Sequence, residues 1–481
     1  MPLVVIENHS LETKKINSVS NFSMDMQVLS SELIIAFILL CVFLYMLGCL
    51  EREEMGCTSS RPKRYSIKGK CKSKSKRRSL IPEVAVFVPA LRVPLPVDLI
   101  HPLRGLVSRD VLDKLSTLRG HLVKLSAEDD LLNVSRISQI RQALEEYLPV
   151  LLGLTNKEKG LDALVHFKWK NLEDDEEFSV ACAWYEVLSV VHAMAMLSLL
   201  EANSMLLPRE TSDGSERKVS EDSKKDVVDL LLKASGCLEY CVHHILVQIP
   251  IQVRKNLPSN LQQGMLEAIS IQTLAQGVEM QLGLASESDK ATLSVKRRLA
   301  CELVAYFSQA HYILSGCDTS DSSYGKKLIS FIKWKFLEAK AAAYYYHGLV
   351  IDKGNEPSCH ISAVCCLCTA DDLLNEGKRV CLSFCLATPV TRVPAPWGVM
   401  KHLHKKIPDV AYKRSQMYAY LFEQDKNATL QSLPDLPEFQ LSLRPEPYEL
   451  PNADPLWESE DCGPQIQSLK DHLEDEDDHE S

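Results

Sequence analysis

From about residue 108 onward the chain is written almost wholly in helical periodicity, and this limits its fold more than any other feature. Leu112, Leu115, Leu118 and Leu122 share one helix face; Ile137, Ile140, Leu144 and Tyr147–Leu148 share another, which ends at Pro149. The pattern predicts a long apolar helix over 179–207, stopped by Pro208. Further helices are expected at about 227–248, 261–285, 288–315, 326–352, 360–386 and 399–425. Short polar loops between long helices join antiparallel neighbours, so the class is mainly α, an elongated bundle or solenoid of helix pairs. No fixed-period repeat is visible.

The remaining text is punctuation around those helices. Residues 81–99 are apolar and interrupted by prolines, which suits a short strand or extended lead-in. LVHFKW at 164–169 is the other strand candidate, so a small β-element is expected on the N-terminal side. Residues 208–226 read as a charged surface loop. Between Pro434 and Pro455 there are six prolines, too many for a helix. Leu436, Phe439, Leu441 and Leu443 within that stretch want burial, which favours a strap along the helices over an exposed proline-rich ligand.

Charge is unevenly placed. The formal net charge is −10, yet residues 61–78 hold ten Lys/Arg and no acid. The last 24 residues hold ten Asp/Glu against one Lys and read as a disordered acidic tail, 458–481. A mean hydropathy of −0.09 excludes a polytopic membrane protein. One segment stands apart: Leu33–Leu50 is eighteen uncharged residues, about the minimum for a membrane span. A second reading competes with it. Met55-Gly-Cys-Thr-Ser-Ser fits N-myristoylation at Gly56 with palmitoylation at Cys57, provided translation begins at Met55. The basic residues Arg61, Lys63, Arg64, Lys74, Lys76, Arg77 and Arg78 would then supply the second anchoring signal on an anionic membrane surface. Both readings tether the body to the cytosolic face of a membrane. The expected division is an upstream extension (1–54), an acylation motif with its polybasic tract (55–79), a helical domain (80–457) and the tail. Apart from Tyr65 no aromatic interleaves the basic run, so no nucleic-acid partner is expected.

Chemistry is sparse. The phosphate-loop, dinucleotide-turn, zinc-protease and nucleophile-elbow patterns are all missing from the sequence. His243–His244 and His402/His404 have no obvious carboxylate or thiol partner in the nearby text. Cys365, Cys368, Cys381 and Cys385 approach zinc spacing, but the text between them reads as unbroken helix, which holds the pairs about 20 Å apart. The sixteen cysteines include several set singly in apolar helices, as reduced core residues are. The expectation is no catalytic residue, no metal and no cofactor.

The helical text resembles a known family. AWYEVLSVVHAMAMLSLLEANSMLLP (183–208), LKASGCLEYCVHHIL (232–246), LEAISIQTLAQGVEMQLGLA (266–285), ATLSVKRRLACELVAYF (291–307) and WKFLEAKAAAYYYHGLV (334–350) are similar to the Bro domain of Alix-like endosomal proteins. With LVHFKW and the proline-rich strap, the resemblance covers about 81–457 and is nearest the short plant Bro-like branch, whose members begin Met-Gly-Cys. It implies a boomerang-shaped solenoid of TPR-like helix pairs. The concave face would take the C-terminal helix of an ESCRT-III subunit, and the convex face would suit membranes. The implied role is a non-enzymatic, membrane-tethered adaptor in multivesicular-body sorting, on the cytosolic face of endosomal or plasma membrane with a cytosolic pool. The alternative is a membrane-anchored scaffold for another trafficking or signalling partner. Along 261–285, Gly264, Ala268, Ile271, Ala275, Val278 and Leu282 form a close-packing stripe, while Leu266, Ile269 and Leu274 fall outside it. Those three are the expected partner-binding positions. Phe331, Trp334 and Tyr344–Tyr346 are expected in the core.

Overall fold

In a computed structural model of the protein, the described residues are 82–89, 91–127, 134–207, 219–317, 323–393, 398–424 and 433–458. The segment 33–50, Gly56, Cys57, the basic residues from Arg61 to Arg78 and the tail from 459 lie outside them.

Three strands, β1 (Arg92–Pro94), β2 (His166–Asn171) and β3 (Glu177–Ala181), pair antiparallel in the order β1-β2-β3. Phe167 and Trp169 of β2 are buried, while His166 and Lys168 are exposed, the period-2 pattern of a half-buried strand. β3 takes residues 179–181 from the start of the predicted long helix. Nothing in EFSVA breaks the apolar run that follows, whereas the acidic turn before it closes a hairpin with β2.

The helices of six or more residues among those described are α1 (Arg109–Ser126), α2 (Val134–Leu152), α3 (Ala183–Leu206), α4 (Glu221–Tyr240), α5 (Gln263–Glu287), α6 (Leu293–Ser315), α7 (Ser323–Ile351), α8 (Pro357–Leu386), α9 (Gly398–Met417) and α10 (Ala419–Gln424). Each long helix from α3 to α9 packs on the next in sequence, and α9 also returns against α5. By length and composition α3 passes for a membrane span, yet 89% of its apolar window is buried inside the fold. α4 begins at Glu221, inside the expected surface loop. The Ser220 hydroxyl accepts from the Ser223 amide at 3.0 Å, and Glu221 and Asp222 suit the positive end of the helix dipole. Pro149 does not end α2; it sits in the last turn, where the missing N–H costs one bond. Phe331, Trp334 and Tyr344–Tyr346 are all buried.

Two buried charge clusters lock the stack. Glu186 on α3, fully buried, accepts from Arg119 Nε (2.9 Å), Tyr147 Oη (3.2 Å) and Trp169 Nε1 (2.6 Å), which ties α1, α2 and β2 to one carboxylate. Lys335 on α7 pairs with Glu279 on α5 at 2.8 Å and with Glu338 at 3.4 Å. Here the sequence expectation for the histidines is corrected: His404 lies 3.6 Å from Glu338 and His402 3.9 Å from Glu287. Their partners come from other helices, which local text does not reveal.

Both extended segments are held by side chains and tight contacts. The lead-in buries Ala85, Val86 and Phe87, the Phe87 ring packing on Phe331 of α7 and Phe384 of α8 while the backbone runs between α3 and α5. Its backbone is satisfied there by amides: Asn203 Oδ1 accepts from Ala85 N (2.7 Å) and Val86 N (2.8 Å), and Gln276 and Gln272 donate to the carbonyls of Ala85 and Phe87. The strap, 433–458, crosses the stack in reverse order. Phe439 faces Arg297 of α6, Tyr306 Oη donates to the Leu443 carbonyl at 2.7 Å, and Glu446 N donates to the Leu232 carbonyl of α4 at 3.1 Å. It ends where Asp454 N meets the Pro149 carbonyl (3.0 Å) and Trp457 Nε1 meets the Val150 carbonyl (2.9 Å). Gly277, Gly236 and Gly153 let it lie this close: a methyl at each would overlap Leu443, the Glu446 carbonyl and the Trp457 ring respectively.

Candidate partner-binding groove

A strap laid over packed helices leaves a gap wherever it rides above a helix crossing. One such gap, about 580 Å³, opens where α4, α5 and α6 meet the strap. Glu239 of α4 and Val242 and His243 of the π-turn that follows it (Cys241–Ile245) form one side. The α5 side is Glu267, Ser270, Ile271 and Leu274, at i, i+3, i+4 and i+7, one continuous edge of the helix. Tyr306, Gln309 and Ile313 line it from α6, again at helical spacing, and strap residues 440–445 close it.

The groove is apolar along its length and charged at points. Val242, Ile271, Leu274, Tyr306, Ile313, Leu441 and Leu443 give it an oily base, with Glu239 and Glu267 on the helical side and Arg444 on the strap. Tyr306 stays a neutral hydrogen-bond donor: burial, then the Glu302 carboxylate, pushes its hydroxyl up to about 12. That donor holds the strap wall in place through Leu443, and Ser442 adds a 3.0 Å bond to Glu302. Ser235 and Ser270 share a 2.8 Å hydroxyl contact beneath the floor, which satisfies both where α4 crosses α5.

The expected site residues divide. Leu274 lines the groove, with 6% of its surface exposed. Leu266 and Ile269 are fully buried in the core and cannot touch a partner, so their assignment is corrected. Conversely Ile271, expected in the packing stripe, is half-buried and reaches the groove. The cause is that α5 is enclosed on nearly every side; between Met265 and Met280 only Glu267 and Ile271 are not buried. Apolar periodicity cannot select an open edge in such a helix. Nor does charge select it: Glu267 lies on the open edge one turn before Ile271, but Glu279 of the same helix is buried against Lys335.

Cys365, Cys368, Cys381 and Cys385 lie on one unbroken helix, α8, and every described cysteine is free. Among the described residues no group of three or more His, Cys, Asp or Glu is placed to hold a metal ion.

Comparison with known proteins fits this architecture. The family model for the BRO1-like domain matches residues 93–422, most of the chain. The chain belongs to the BRO1-like domain family. Among solved structures, ALIX in complex with the SIVmac239 PYKEVTEDL late domain aligns with a TM-score of 0.53 at 16% identity, over 81% of this chain and 53% of that one. This BRO1-like chain thus spans about half the length of that ALIX chain. A Bro1 domain solved as a basis for endosomal targeting aligns at 0.50 and 15% identity, covering 82% and 98%. The ALIX BRO1–CHMP4C complex aligns at 0.51 and 16%, covering 77% and 97%. At these identities the likeness speaks for the fold. A comparison with curated proteins found no match.

Proposed function

We propose that this BRO1-like chain is a non-enzymatic adaptor whose groove takes an amphipathic helix from an ESCRT-III subunit, in the service of endosomal sorting. The observation that carries the reading is the groove's form: an apolar floor of Ile271, Leu274, Tyr306 and Ile313 between charged edges. A helix presents anchors at i, i+3, i+4 and i+7, and such a trough accepts one anchor row while its rim sets direction. Cationic residues of the ligand would face Glu239 and Glu267, and an anionic one Arg444. The solved ALIX BRO1–CHMP4C complex supports a partner of this class. On the same helical face of α6, toward its N-terminal end, Val295 is 47% exposed and Leu299 half-buried, so a longer ligand would meet them next.

In this reading the adaptor is tethered to the cytosolic face of the membrane through Gly56, Cys57 and the basic tract 61–78. An N-acylated Gly56 peptide recovered from the native protein would support the tether, and a native N-terminus upstream of Met55 would refute it in favour of the 33–50 span. The groove is tested by hydrogen exchange of the full chain with a C-terminal helix peptide of an ESCRT-III subunit. Slowed exchange in 267–274 and 440–445 is expected; a chain that binds with no protection there would refute the site.

A further inference from the structure

The lead-in enters the body beside a surface the groove does not use. Pro82 O accepts from Arg392 N and Arg392 O from Val84 N, both at 2.9 Å, and Glu83 pairs with the Arg392 guanidinium at 2.6 Å. The loop that carries Arg392 is pinned to the end of α8: Thr391 N donates to the Cys385 carbonyl at 3.1 Å, and buried Lys327 of α7 donates to the carbonyls of Ala387 and Pro389. On this fixed platform stand three exposed apolar side chains, Leu382 (47%), Leu386 (61%) and Val390 (48%). Lys378 and Arg379, exposed one turn earlier, share the helical face of Leu382 and Leu386. From 377 to 393 the chain has no acid.

We propose that this patch, Leu382, Leu386 and Val390 with Lys378 and Arg379, is the surface the body lays on an anionic bilayer. The proposal rests on the tethered reading above. Two independent features select a lipid surface as the occupant. One is chemistry: cations beside protruding aliphatic side chains suit headgroups above an acyl boundary. The other is chain length. Three residues separate Arg78, the last of the basic tract, from Pro82, so the two are at most about 14 Å of chain apart. A membrane-bound tract therefore keeps Pro82, and the Arg392 loop paired with it, within a short leash of the bilayer. The patch turns a flexible leash into an oriented contact.

The test is hydrogen exchange of the full chain, natively processed at its N-terminus, on phosphatidylcholine vesicles with about one-quarter phosphatidylserine. Slowed exchange across 382–393 is expected, together with at least about a tenfold loss of vesicle affinity in Leu382→Ser/Leu386→Ser/Val390→Ser. These side chains are exposed, so the variant keeps its melting temperature; Leu386→Asp alone gives a second, milder version. Binding with protection only before residue 79 would overturn the patch and leave the tether standing. No binding by the parent chain would overturn the tether and the patch with it. Protection of 382–393 that needs no vesicles and grows with protein concentration would assign the surface to a second copy and overturn the proposal.

Discussion

Replacing Trp457 by Ala asks whether the strap is part of the fold or an ornament on it. The indole is 6% exposed, its ring fills the space that Gly153 leaves open, and its N–H is bonded to the Val150 carbonyl. Truncating a buried Trp to Ala costs about 3–5 kcal/mol, and the freed Val150 carbonyl about 1 kcal/mol unless water reaches it. Lys159 also loses the ring beneath its ammonium, 5.0 Å away. A loss of about 4 kcal/mol is thus expected, a large part of the roughly 5–15 kcal/mol typical of a domain. Because a terminal strap can lift before the helices unfold, the loss is read in two ways: urea denaturation of the whole chain and amide exchange along 446–458. The expected result is a lower midpoint with fast exchange at Glu446, Asp454 and Trp457. A midpoint within about 1 kcal/mol of the parent, with exchange unchanged, would refute the reasoning, because the strap would then add nothing to the stack.

Other perturbations follow from the same contacts. Gly236→Ala drives a methyl into the Glu446 carbonyl and should cost about 2 kcal/mol while raising exchange at Glu446. Gly120→Ala on α1, where the added methyl meets nothing within 4 Å, should instead stabilise by about 0.5–1 kcal/mol, and equal denaturation midpoints for the two would contradict the strap contact. His192 is buried with no hydrogen-bond partner for either ring nitrogen among the described residues; burial, then Arg92, holds its pKa down to about 3 against an ordinary 6.5. The unfolded chain takes up the proton and the folded one refuses it, so this stability is present above 6.5 and drains as pH falls toward about 3. Between pH 7 and 5 that is about 2 kcal/mol, and His192→Leu should remove this part of the acid sensitivity in paired urea melts. An identical pH dependence in the variant would mean that His192 is solvated.

The helices were legible because their apolar stripes repeat at helical spacing over twenty or more residues, as in α3, α7 and α8. The strap was legible from Phe439, Leu441 and Leu443, which alternate apolar with polar in text too rich in proline to be a helix. Elements set by distant partners were not. β3 exists because β2 pairs with it, and in isolation its residues read into α3. The carboxylates near His402 and His404 come from α5 and α7. The groove was legible only to the level of the helix. Placing it on α5 follows from a helix apolar on too many faces, but Leu266 and Ile269 are indistinguishable in text from Ile271. What separates them is where α4, α6 and the strap happen to leave an opening, a property of the assembled stack.

The central claim is that a partner helix sits on Ile271 and Leu274. It is tested most directly by the affinity of the full chain for an ESCRT-III C-terminal helix, measured for the parent, Ile271→Asp and Val295→Asp, with melting temperatures alongside. The account predicts binding that Ile271→Asp weakens at least about tenfold while the melting temperature holds. Undiminished affinity in Ile271→Asp, with loss in Val295→Asp, would contradict the claim and move the site along α6 toward its N-terminal end.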